Sequence, residues 1–425
     1  MSYSKILVAQ LGARKHYQEP LLFHRWGILD RLYTDFYSGH NKLTGKLRNS
    51  RIYNHLPNAL KKGLDRYEPE LQNAKIIHFP KLGYQYLQAL KKAPPEQAPQ
   101  IYIWAGQKFC QQIIQHGLGD ANTIYGFNSA CLELFEYAKK RGIRCVLDQT
   151  LAEWSLVHKL LLEEEQRWPG WSLSPFKVGE ADLELLEREQ REQDLADRII
   201  CGSSFVKNSL IARGVDGEKI SVLPLGRLKE RSLIQNSYLK SVQQNDDETL
   251  KILFVGSVNL RKGIPYLLKA LKQIKGKISF TCKVVGSLEI NYQRVTEYSD
   301  VCTFLGRVPR AEMKDLYNWA DVFVLPSICE GSAMVTYEAL LAGIPTITTD
   351  NSGSIVRDGI DGAIVPIREI DAIANQLLHM HTTKKAFSTT NNTQEYLDNL
   401  MQESENKLRQ IVTFQQKKIQ MSLTK

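Results

Sequence analysis

The chain has 425 residues, with 55 Lys and Arg against 46 Asp and Glu, and a formal net charge of +9 at pH 7. Hydrophobic residues make up 43% and charged residues 24%, a globular composition that excludes disorder over most of the chain. At roughly 150 residues per domain, the length predicts two or three domains. The basic residues are spread along the chain, which disfavours a nucleic-acid-binding protein.

Cysteine usage and hydropathy indicate the compartment. The seven cysteines are scattered and form no CxxC pair, which disfavours a zinc ribbon and favours a reducing environment. No apolar stretch approaches roughly 18 residues, so no transmembrane helix is predicted. The N-terminal residues lack the basic and apolar regions of a signal peptide. We therefore expect a cytoplasmic protein.

The first half of the chain alternates short apolar runs with helix-like segments. Strands are predicted at 5–9, 101–104, 123–127, 143–147, 198–201 and 220–223. Helical patterns lie between several of them, as at 132–141 and 183–196. This alternation predicts a parallel sheet with both faces covered by helices.

The pattern restarts after a polar segment at 227–250, which reads as a linker or a surface excursion. Further strands are predicted at 251–256, 280–286, 301–305, 321–325, 345–348 and 363–365. The predicted fold class is therefore α/β, with two tandem doubly wound, Rossmann-like domains. The predicted divisions are an N-terminal domain at 1–226, a C-terminal domain at 251–385 and a final helical segment at 386–425.

Two regions of the first half leave alternatives open. The segment 42–66 interleaves basic and apolar residues and can lie on an anionic membrane surface, although a solvated helix face is the simpler interpretation. The segment 150–180 contains Trp154, His158, Trp168 and Trp171, which form either an apolar platform for a ligand or part of a core.

Several catalytic motifs are absent from the sequence. It contains no GxxxxGK[ST], no GxGxxG after a strand, no HExxH and no GxSxG. Their absence disfavours a Walker-type ATPase, a dinucleotide oxidoreductase, a zinc peptidase and an elbow-type hydrolase. No Asp-x-Asp follows a strand, as a metal held on a diphosphate would require.

The segment 255–263, VGSVNLRKG, passes from a predicted strand through a loop into a helix. Gly256 lets the backbone approach a ligand closely. Lys262 and Arg261 can neutralise a phosphate near the helix N-terminus, where backbone N–H groups also favour anions. The alternative is an ordinary loop with solvated basic residues.

The segment 326–345 follows another apolar strand. Glu330 lies in the loop at the end of that strand, where ligands bind in open α/β sheets. Gly331 and Ser332 are the predicted start of a helix, and Glu338 lies about two turns into it. An unpaired buried carboxylate is costly, so Glu338 should be hydrogen-bonded to the protein or to ligand hydroxyls.

The loop after the first strand, at 8–17, is a third candidate. Gly12 and Ala13 can border a ligand there, and His16 lies in the same loop. The alternative is an ordinary turn between a strand and a helix.

The second half resembles retaining nucleotide-sugar glycosyltransferases of family 4 (glycosyltransferase group 1). The resemblance lies in three blocks in a fixed order: GSVNLRKGIPYLLKAL (256–271), LGRVPRAEMKDLYNWADVFVLPS (305–327) and EGSAMVTYEALLAGIPTI (330–347). With ADRIICGSSFVKNSL (196–210) it extends into the first half. It implies the GT-B architecture, two Rossmann-like domains facing across a cleft, with a C-terminal helix crossing back to the first domain.

The resemblance also implies roles for individual residues. Lys262 would hold the diphosphate as it leaves, and Glu330 would contact hydroxyls of the donor sugar. Glu338 would accept from the ribose hydroxyls. The other donor-binding residues would be Gly256, Ser257, Arg261, Val308, Gly331, Ser332, Ala333 and Met334. The acceptor or cleft residues would be Gly12, Ala13, His16 and Asn128.

The chain departs from the family at two positions. Ser257 stands where many members carry Arg after the glycine of the phosphate loop, so Arg261 would have to compensate. Asn128 lies in the region where many members carry His, and an amide cannot titrate. These departures support the alternative of an inactive nucleotide-sugar-binding scaffold. A nucleotide-sugar 2-epimerase of the same architecture is a second alternative.

The expected function is transfer of a sugar from a nucleotide diphosphate sugar to a hydroxyl acceptor, in glycan or polysaccharide biosynthesis. The family is thought to retain the anomeric configuration by same-face attack, without an enzyme nucleophile. We expect no cofactor and no metal requirement. The expected partners are the donor and a glycan, lipid-linked or small-molecule acceptor, with membrane contact through 42–66 and no nucleic acid.

Overall fold

The computed structural model describes residues 4–39, 44, 47, 50, 56, 58–224, 249–382 and 391–413. Contacts divide the chain into two compact units. Unit 1 comprises Met1–Asp148, Ala181–Ile200 and Glu403–Lys425, and unit 2 comprises Gln149–Glu180 and Cys201–Gln402. Most of the predicted linker and about half of the basic segment 42–66 lie outside the described residues. The predicted domain boundaries remain a prediction.

The strands occupy two sheets. They are β1 Ile6–Gln10, β2 Leu29–Thr34, β3 Ile76–His78, β4 Thr123–Phe127, β5 Arg144–Gln149, β6 Arg198–Cys201, β7 Ile220–Val222, β8 Leu250–Val255, β9 Phe280–Val285, β10 Thr303–Gly306, β11 Val322–Leu325, β12 Thr346–Thr348 and β13 Gly362–Ile364.

Helices follow most of the strands. They are α1 Gln18–Arg25, α2 Asn58–Leu64, α3 Pro80–Lys92, α4 Ala98–His116, α5 Leu132–Lys139, α6 Trp154–Arg167, α7 Glu180–Leu195, α8 Ser204–Arg213, α9 Ile264–Ile274, α10 Tyr292–Glu297, α11 Met313–Trp319, α12 Met334–Leu341, α13 Ile370–Thr382 and α14 Asn391–Thr413.

Both sheets are doubly wound. The first has the order β3-β2-β1-β4-β5-β6-β7 and the second the order β10-β9-β8-β11-β12-β13. In the first, β1 pairs in parallel with β2 and β4, and in the second β8 pairs in parallel with β9 and β11. The strand order reverses between β1 and β4 and between β8 and β11. These are the topological switch points, where ligands bind at the carboxyl ends of the strands.

The central strands are apolar because helices cover both faces of each sheet. Every residue of β1 (ILVAQ) and of β11 (VFVL) is buried. The sequence alternates apolar runs with helical patterns because buried strands alternate along the chain with the helices that cover them. The predicted α/β class with two doubly wound sheets is confirmed.

One predicted strand is wrong, and two strands escaped prediction. Residues 101–104 (IYIW) lie inside helix α4, whose buried side chains include Ile103, Phe109 and Ile113 at helical spacing. Pro99 lies in its first turn, a position that proline tolerates. The missed strands are β2, whose first residues are only partly buried, and β3, which has three residues.

Residues 149–180 pack within unit 2. Glu164 of α6 is fully buried, and it accepts hydrogen bonds from Arg368 Nε at 2.6 Å and from the Tyr266 hydroxyl at 2.7 Å. The Trp168 ring meets Trp171 and Tyr266 edge-on, at centroid distances of 5.4 and 5.3 Å. Trp168 and Trp171 therefore belong to a core, which decides between their two interpretations.

None of the helices in the described residues is both long and apolar enough to cross a membrane. All seven cysteines are buried and unbridged.

Candidate functional site

Two loops meet at the switch point of the second sheet. The loop 256–263 follows β8, and the loop 326–333 follows β11. Ile328 N donates to Arg261 O at 2.9 Å. Gly263 has φ +68°, and a Cβ there would lie 1.9 Å from Pro326 O, so only glycine allows the loops to pack this closely.

Two cations and one carboxylate lie where these loops meet. Glu330 Oε1 accepts from Lys262 Nζ at 2.8 Å and from Arg261 NH1 at 2.6 Å. Lys262 and Glu330 are each only 9% exposed. Two positive charges therefore face one negative charge, which leaves one positive charge in excess, and of the two cations Lys262 is buried while Arg261 is partly exposed.

Burial dominates the electrostatics of the lysine. Desolvation lowers the pKa of Lys262, the charge of Glu330 raises it and that of Arg261 lowers it, with a net lowering. An anion entering this site would restore the stabilisation that burial removes from the ammonium.

Backbone hydrogen bonds fix both loops. Glu330 N donates to Asn351 O at 2.8 Å, and Asn351 Nδ2 donates to Ile328 O at 2.8 Å. On the other loop, Lys262 N donates to Asn259 Oδ1 at 3.0 Å. The charged side chains thus project from loops whose backbone is already held, as a preorganised site requires.

Two helices begin at these loops. Helix α9 follows Gly263 and helix α12 follows Ala333, and neither has a side-chain hydrogen bond capping its N-terminus. Helix α12 starts at Met334, later than the predicted start at Gly331 and Ser332. Uncapped N-terminal N–H groups and the helix dipole favour anions, and phosphate groups bind to such ends.

Glu338 lies in the second turn of helix α12. Its Oε2 accepts from the Tyr317 hydroxyl at 2.7 Å. The prediction of a hydrogen-bonded carboxylate is therefore met by the protein itself. Tyr317 was missed because nothing in its local sequence relates it to a residue 21 positions further along.

The comparison with protein families identifies this part of the chain. Residues 249–383 match the family described as "Glycosyl transferases group 1". This segment is similar to the group 1 glycosyltransferases over its whole length. It contains both loops of the candidate site, and the predicted resemblance is confirmed.

Curated relatives carry related names. An uncharacterized glycosyltransferase of Methanocaldococcus jannaschii is 33% identical over 147 residues, covering 32% of this chain and 37% of the relative. A D-inositol 3-phosphate glycosyltransferase of Paenarthrobacter aurescens is 29% identical over 65% of this chain and 68% of the relative.

A third relative is an Escherichia coli UDP-Gal:alpha-D-GlcNAc-diphosphoundecaprenol alpha-1,3-galactosyltransferase. It is 28% identical over 42% of this chain and 46% of the relative. The matched segments thus span from about a third to two thirds of the length of these relatives.

Solved structures show the same fold over nearly the whole chain. Sucrose-phosphate synthase from Thermosynechococcus elongatus aligns with a TM-score of 0.62 and 18% identity, covering 96% of this chain and 98% of that one. Anabaena HepE, in complex with UDP and glucose, aligns with a TM-score of 0.54 and 15% identity, covering 96% and 100%. These likenesses concern the fold alone.

The remaining donor-site predictions fall at several places in the matched segment 249–383. Gly256 lies beside Lys262, since a Cβ on it would be 3.4 Å from Lys262 Cε. Ser257 Oγ lies 3.2 Å from Ser287 Oγ. Ser257 therefore contacts a neighbouring loop and adds no charge to the site.

The loop before helix α12 is anchored on both sides. Gly331 O accepts from Ser203 Oγ at 2.6 Å, and a Cβ on Gly331 would lie 1.8 Å from Thr150 O. Ser332 Oγ donates to the Tyr337 hydroxyl at 3.3 Å, and Ala333 N donates to Ser352 O at 3.1 Å. The N–H of Ala333 is thus occupied by the protein.

Val308 lies apart from the cluster of Lys262 and Glu330 and borders a cavity of about 460 Å³. This volume is in the range of small-molecule sites. The other lining residues are Lys283, Leu305, Arg307, Pro309, Glu312, Asp315 and Leu316. A second cavity, of about 550 Å³, includes Asn351, Gly353 and Ser203 in its lining and so adjoins the Glu330 loop.

The four predicted acceptor residues lie together at the switch point of the first sheet, in unit 1. Gly12 N donates to Asp35 Oδ1 at 2.8 Å, and Ala13 follows it. His16 is exposed with φ +48°. Asn128 Nδ2 donates to Glu189 Oε2 at 2.7 Å, so its amide is held in place by a buried carboxylate.

Within the described ranges, no three His, Cys, Asp or Glu side chains form a group that could hold a metal ion. The expectation that the reaction requires no metal remains a prediction.

Proposed function

We propose that this chain is a retaining glycosyltransferase that moves a sugar from a nucleoside diphosphate sugar to a hydroxyl acceptor, in glycan or polysaccharide biosynthesis. The observation that carries the proposal is the contact of Lys262 and Arg261 with a single oxygen of Glu330 at the switch point. The excess positive charge and the N-terminus of helix α12 suit a diphosphate.

Charge stabilisation is the main task of such a site. When the bond between the sugar C1 and the phosphate oxygen breaks, negative charge grows on the diphosphate. Lys262 and Arg261 stabilise that charge from fixed positions, so little reorganisation is needed during the reaction. Each charge-assisted hydrogen bond contributes about 1.5–3 kcal/mol.

Glu330 has two successive roles in this proposal. Without a ligand it is the counter-ion of both cations, which keeps them in place. When a diphosphate takes over that role, the carboxylate is released to accept hydrogen bonds from hydroxyls of the sugar. Carboxylates are strong acceptors for hydroxyl donors.

The bond changes need no enzyme nucleophile. The acceptor oxygen bonds to C1 on the face that the diphosphate leaves, so the anomeric configuration is retained. The acceptor proton passes to an oxygen of the departing phosphate. We propose that no metal is required, because Lys262, Arg261 and the helix ends can supply the charge that the leaving group needs.

The rest of the donor is assigned by position. The cavity beside Val308 would receive the base, and Glu338, oriented by Tyr317, would accept from the ribose hydroxyls. Unit 1 would bind the acceptor, which is a glycan, a lipid-linked sugar or a small molecule.

We further propose a cytoplasmic location with peripheral contact to the anionic membrane face through 42–66. Within that segment, the described Leu60 is 56% exposed and carries an apolar side chain into solvent. Basic residues around exposed apolar ones suit a membrane surface.

The test is a thermal-shift screen of nucleoside diphosphate sugars, followed by mass spectrometry of the products with a panel of acceptors. We expect one donor to raise the melting temperature and its sugar to appear on an acceptor with the anomeric configuration retained. Conversion of the donor without an acceptor would indicate an epimerase instead. Donor binding without any turnover would indicate a scaffold, and no binding at all would refute the proposal.

A further inference from the structure

The switch point of the first sheet holds an arginine that the donor site does not explain. Arg14 lies in the loop after β1, and its NH1 donates to Asn128 O at 3.0 Å and to Asn128 Oδ1 at 3.4 Å, in the loop after β4. Arg14 thus connects the two loops at which the strand order reverses. This is the edge where open α/β sheets bind ligands.

Backbone strain is concentrated at this edge. Five non-glycine residues in the described ranges have positive φ, and three of them are consecutive: Lys15 (+44°), His16 (+48°) and Tyr17 (+64°). A fourth, Ser129 (+70°), follows Asn128 in the facing loop. Left-handed backbone costs roughly 1–2 kcal/mol per residue and is retained mainly where the surroundings impose it, often at functional sites.

Buried carboxylates impose the conformation through Lys15. Its Nζ lies 2.5 Å from Asp148 Oδ2 and 3.1 Å from Glu19 Oε1, and both carboxylates are buried. Burial lowers the pKa of Lys15, but the charges of Asp148 and Glu19 outweigh this and raise it overall. Lys15 therefore already has two carboxylate counter-ions in the protein.

Arg14 differs from Lys15 because its partners are neutral. It contacts the oxygens of Asn128 and the face of Phe127, whose ring centroid is 5.7 Å from its Cζ, and it makes no ion pair within the described ranges. By contrast, the partly buried Arg66 and Arg188 of the same unit pair with Asp35 and Glu133.

The arrangement leaves Arg14 positioned but not neutralised. Gln10 Nε2 donates to Arg14 O at 2.8 Å, which fixes the backbone, and the bond to Asn128 orients one end of the guanidinium. The remaining N–H groups form a planar fork, a geometry that matches phosphate oxygens.

We propose that Arg14 binds a phosphate of the acceptor, so that the acceptor is a phosphorylated sugar or polyol rather than a neutral glycan. The inference rests on the proposed glycosyltransferase function. Two of the relatives support it by their names, since one is a glycosyltransferase for inositol 3-phosphate and another acts on a sugar joined to undecaprenol through a diphosphate. Free and lipid-linked acceptors share this anionic group.

The test compares Arg14→Gln, Arg14→Lys and a matched control, Arg141→Gln. Arg141 belongs to the same unit but precedes β5, at the opposite edge of the sheet, and its guanidinium lies over Tyr137. Two probes separate the sources: glucose 6-phosphate in solution, titrated calorimetrically against glucose, and a sugar-diphosphate-polyprenol in detergent micelles, titrated against the same sugar on a phosphate-free polyprenol. Nucleoside diphosphate binding is measured on every variant, and the melting temperature confirms folding.

We expect one phosphate probe to bind the unaltered protein at least about tenfold more tightly than its phosphate-free analogue. Arg14→Gln should abolish this preference, Arg14→Lys should keep part of it, and Arg141→Gln should keep all of it. The proposal is overturned if neither probe shows a phosphate preference, if Arg14→Gln retains it, or if Arg14→Gln weakens nucleoside diphosphate binding by the same factor. If the unaltered protein binds no nucleoside diphosphate, the proposed function itself is refuted.

Discussion

The two switch points have the same topology, but the lysine at each one has the opposite balance of charges around it. In the second sheet, two cations, Lys262 and Arg261, share one carboxylate. In the first sheet, one cation, Lys15, is shared by two carboxylates, Asp148 and Glu19. A lysine at the end of a central strand can therefore be a ligand-binding group or a structural one, and the ratio of charges around it distinguishes the two.

This comparison predicts where each lysine matters. In unit 2, Lys262 and Arg261 share one carboxylate, so one positive charge has no counter-ion of its own in this cluster. We expect that charge to contribute to ligand binding. The excess carboxylate in unit 1 would be a buried, uncompensated charge if its lysine were removed, which is strongly destabilising. Replacing the first should impair function, and replacing the second should impair folding.

The largest effect is expected for Lys15→Met. It leaves two buried carboxylates without their cation, which should reduce the free energy of unfolding by about 3–5 kcal/mol at pH 7. Urea or thermal unfolding measures the loss. Lys139→Met is the control, since Lys139 pairs with Asp197 where both side chains are partly exposed, and we expect little change.

The Lys15→Met variant should also recover on acidification. Burial raises the pKa of Glu19 and the charge of Lys15 opposes that rise. A carboxyl with a raised pKa holds its proton more tightly in the folded state than in the unfolded state. The protein therefore loses stability as the pH rises from 4.5, the ordinary pKa of a Glu carboxyl, to the raised pKa of Glu19 in the folded state. Without Lys15 this pKa rises further, and the deficit should shrink from pH 7 to pH 5. A deficit that grows at pH 5 would contradict the assignment.

The next largest effect is expected for Lys262→Ala. It should lower kcat/KM about 100-fold, which corresponds to about 2.7 kcal/mol of transition-state stabilisation, with a small change in melting temperature. Steady-state transfer assays measure it. Lys277→Ala, at an exposed position beyond the end of α9, should behave as the unaltered enzyme. Near-normal transfer by Lys262→Ala would show that Lys262 does not contribute to function as the comparison with Lys15 predicts.

Glu330→Gln should separate binding from turnover. The amide keeps the shape but removes the counter-charge of Lys262 and Arg261, so a nucleoside diphosphate without its sugar should bind about threefold to tenfold more tightly. Transfer should slow at least about tenfold, because the sugar hydroxyls lose a charged acceptor.

Calorimetry with the nucleoside diphosphate and transfer assays test Glu330→Gln side by side. Glu297→Gln is the matched control, since Glu297 pairs with Arg294 on an exposed helix. Weaker nucleoside diphosphate binding by Glu330→Gln would show that Glu330 does not compete with the ligand for the cations.

The smallest effect is expected for Tyr317→Phe, which removes the hydroxyl that donates to Glu338. The KM for the donor should rise about threefold with little change in kcat, because Glu338 loses orientation but remains charged. Tyr292→Phe, at a 76% exposed tyrosine, serves as the control. An unchanged KM would mean that Glu338 is positioned by other contacts.

The sequence predicted the fold best where strands are buried on both faces. The mainly apolar segments of β4, β8 and β11 were predicted as strands, and the structure confirms them. Prediction failed where a strand is short or partly polar, as in β2, and where an apolar run belongs to one face of a helix, as at 101–104. Apolar runs alone do not distinguish these cases.

The candidate site was predicted in part. Loop position and residue type were enough to indicate Lys262 and Glu330, because both follow central strands. Their mutual contact was not foreseen, since it depends on which strands become neighbours in the sheet. The same holds for Lys15 and Asp148, which contact each other across 133 residues of sequence.

The packing of residues 149–180 has a practical consequence for engineering. Because Glu164 is bonded to Arg368 and Tyr266, this segment shares its core with the rest of unit 2, although in the sequence it lies between two segments of unit 1. A chimera that exchanges residues 1–226 between homologues by a single cut would place a foreign α6 against a native Arg368. Junctions at 148 and 180 would leave that buried cluster intact.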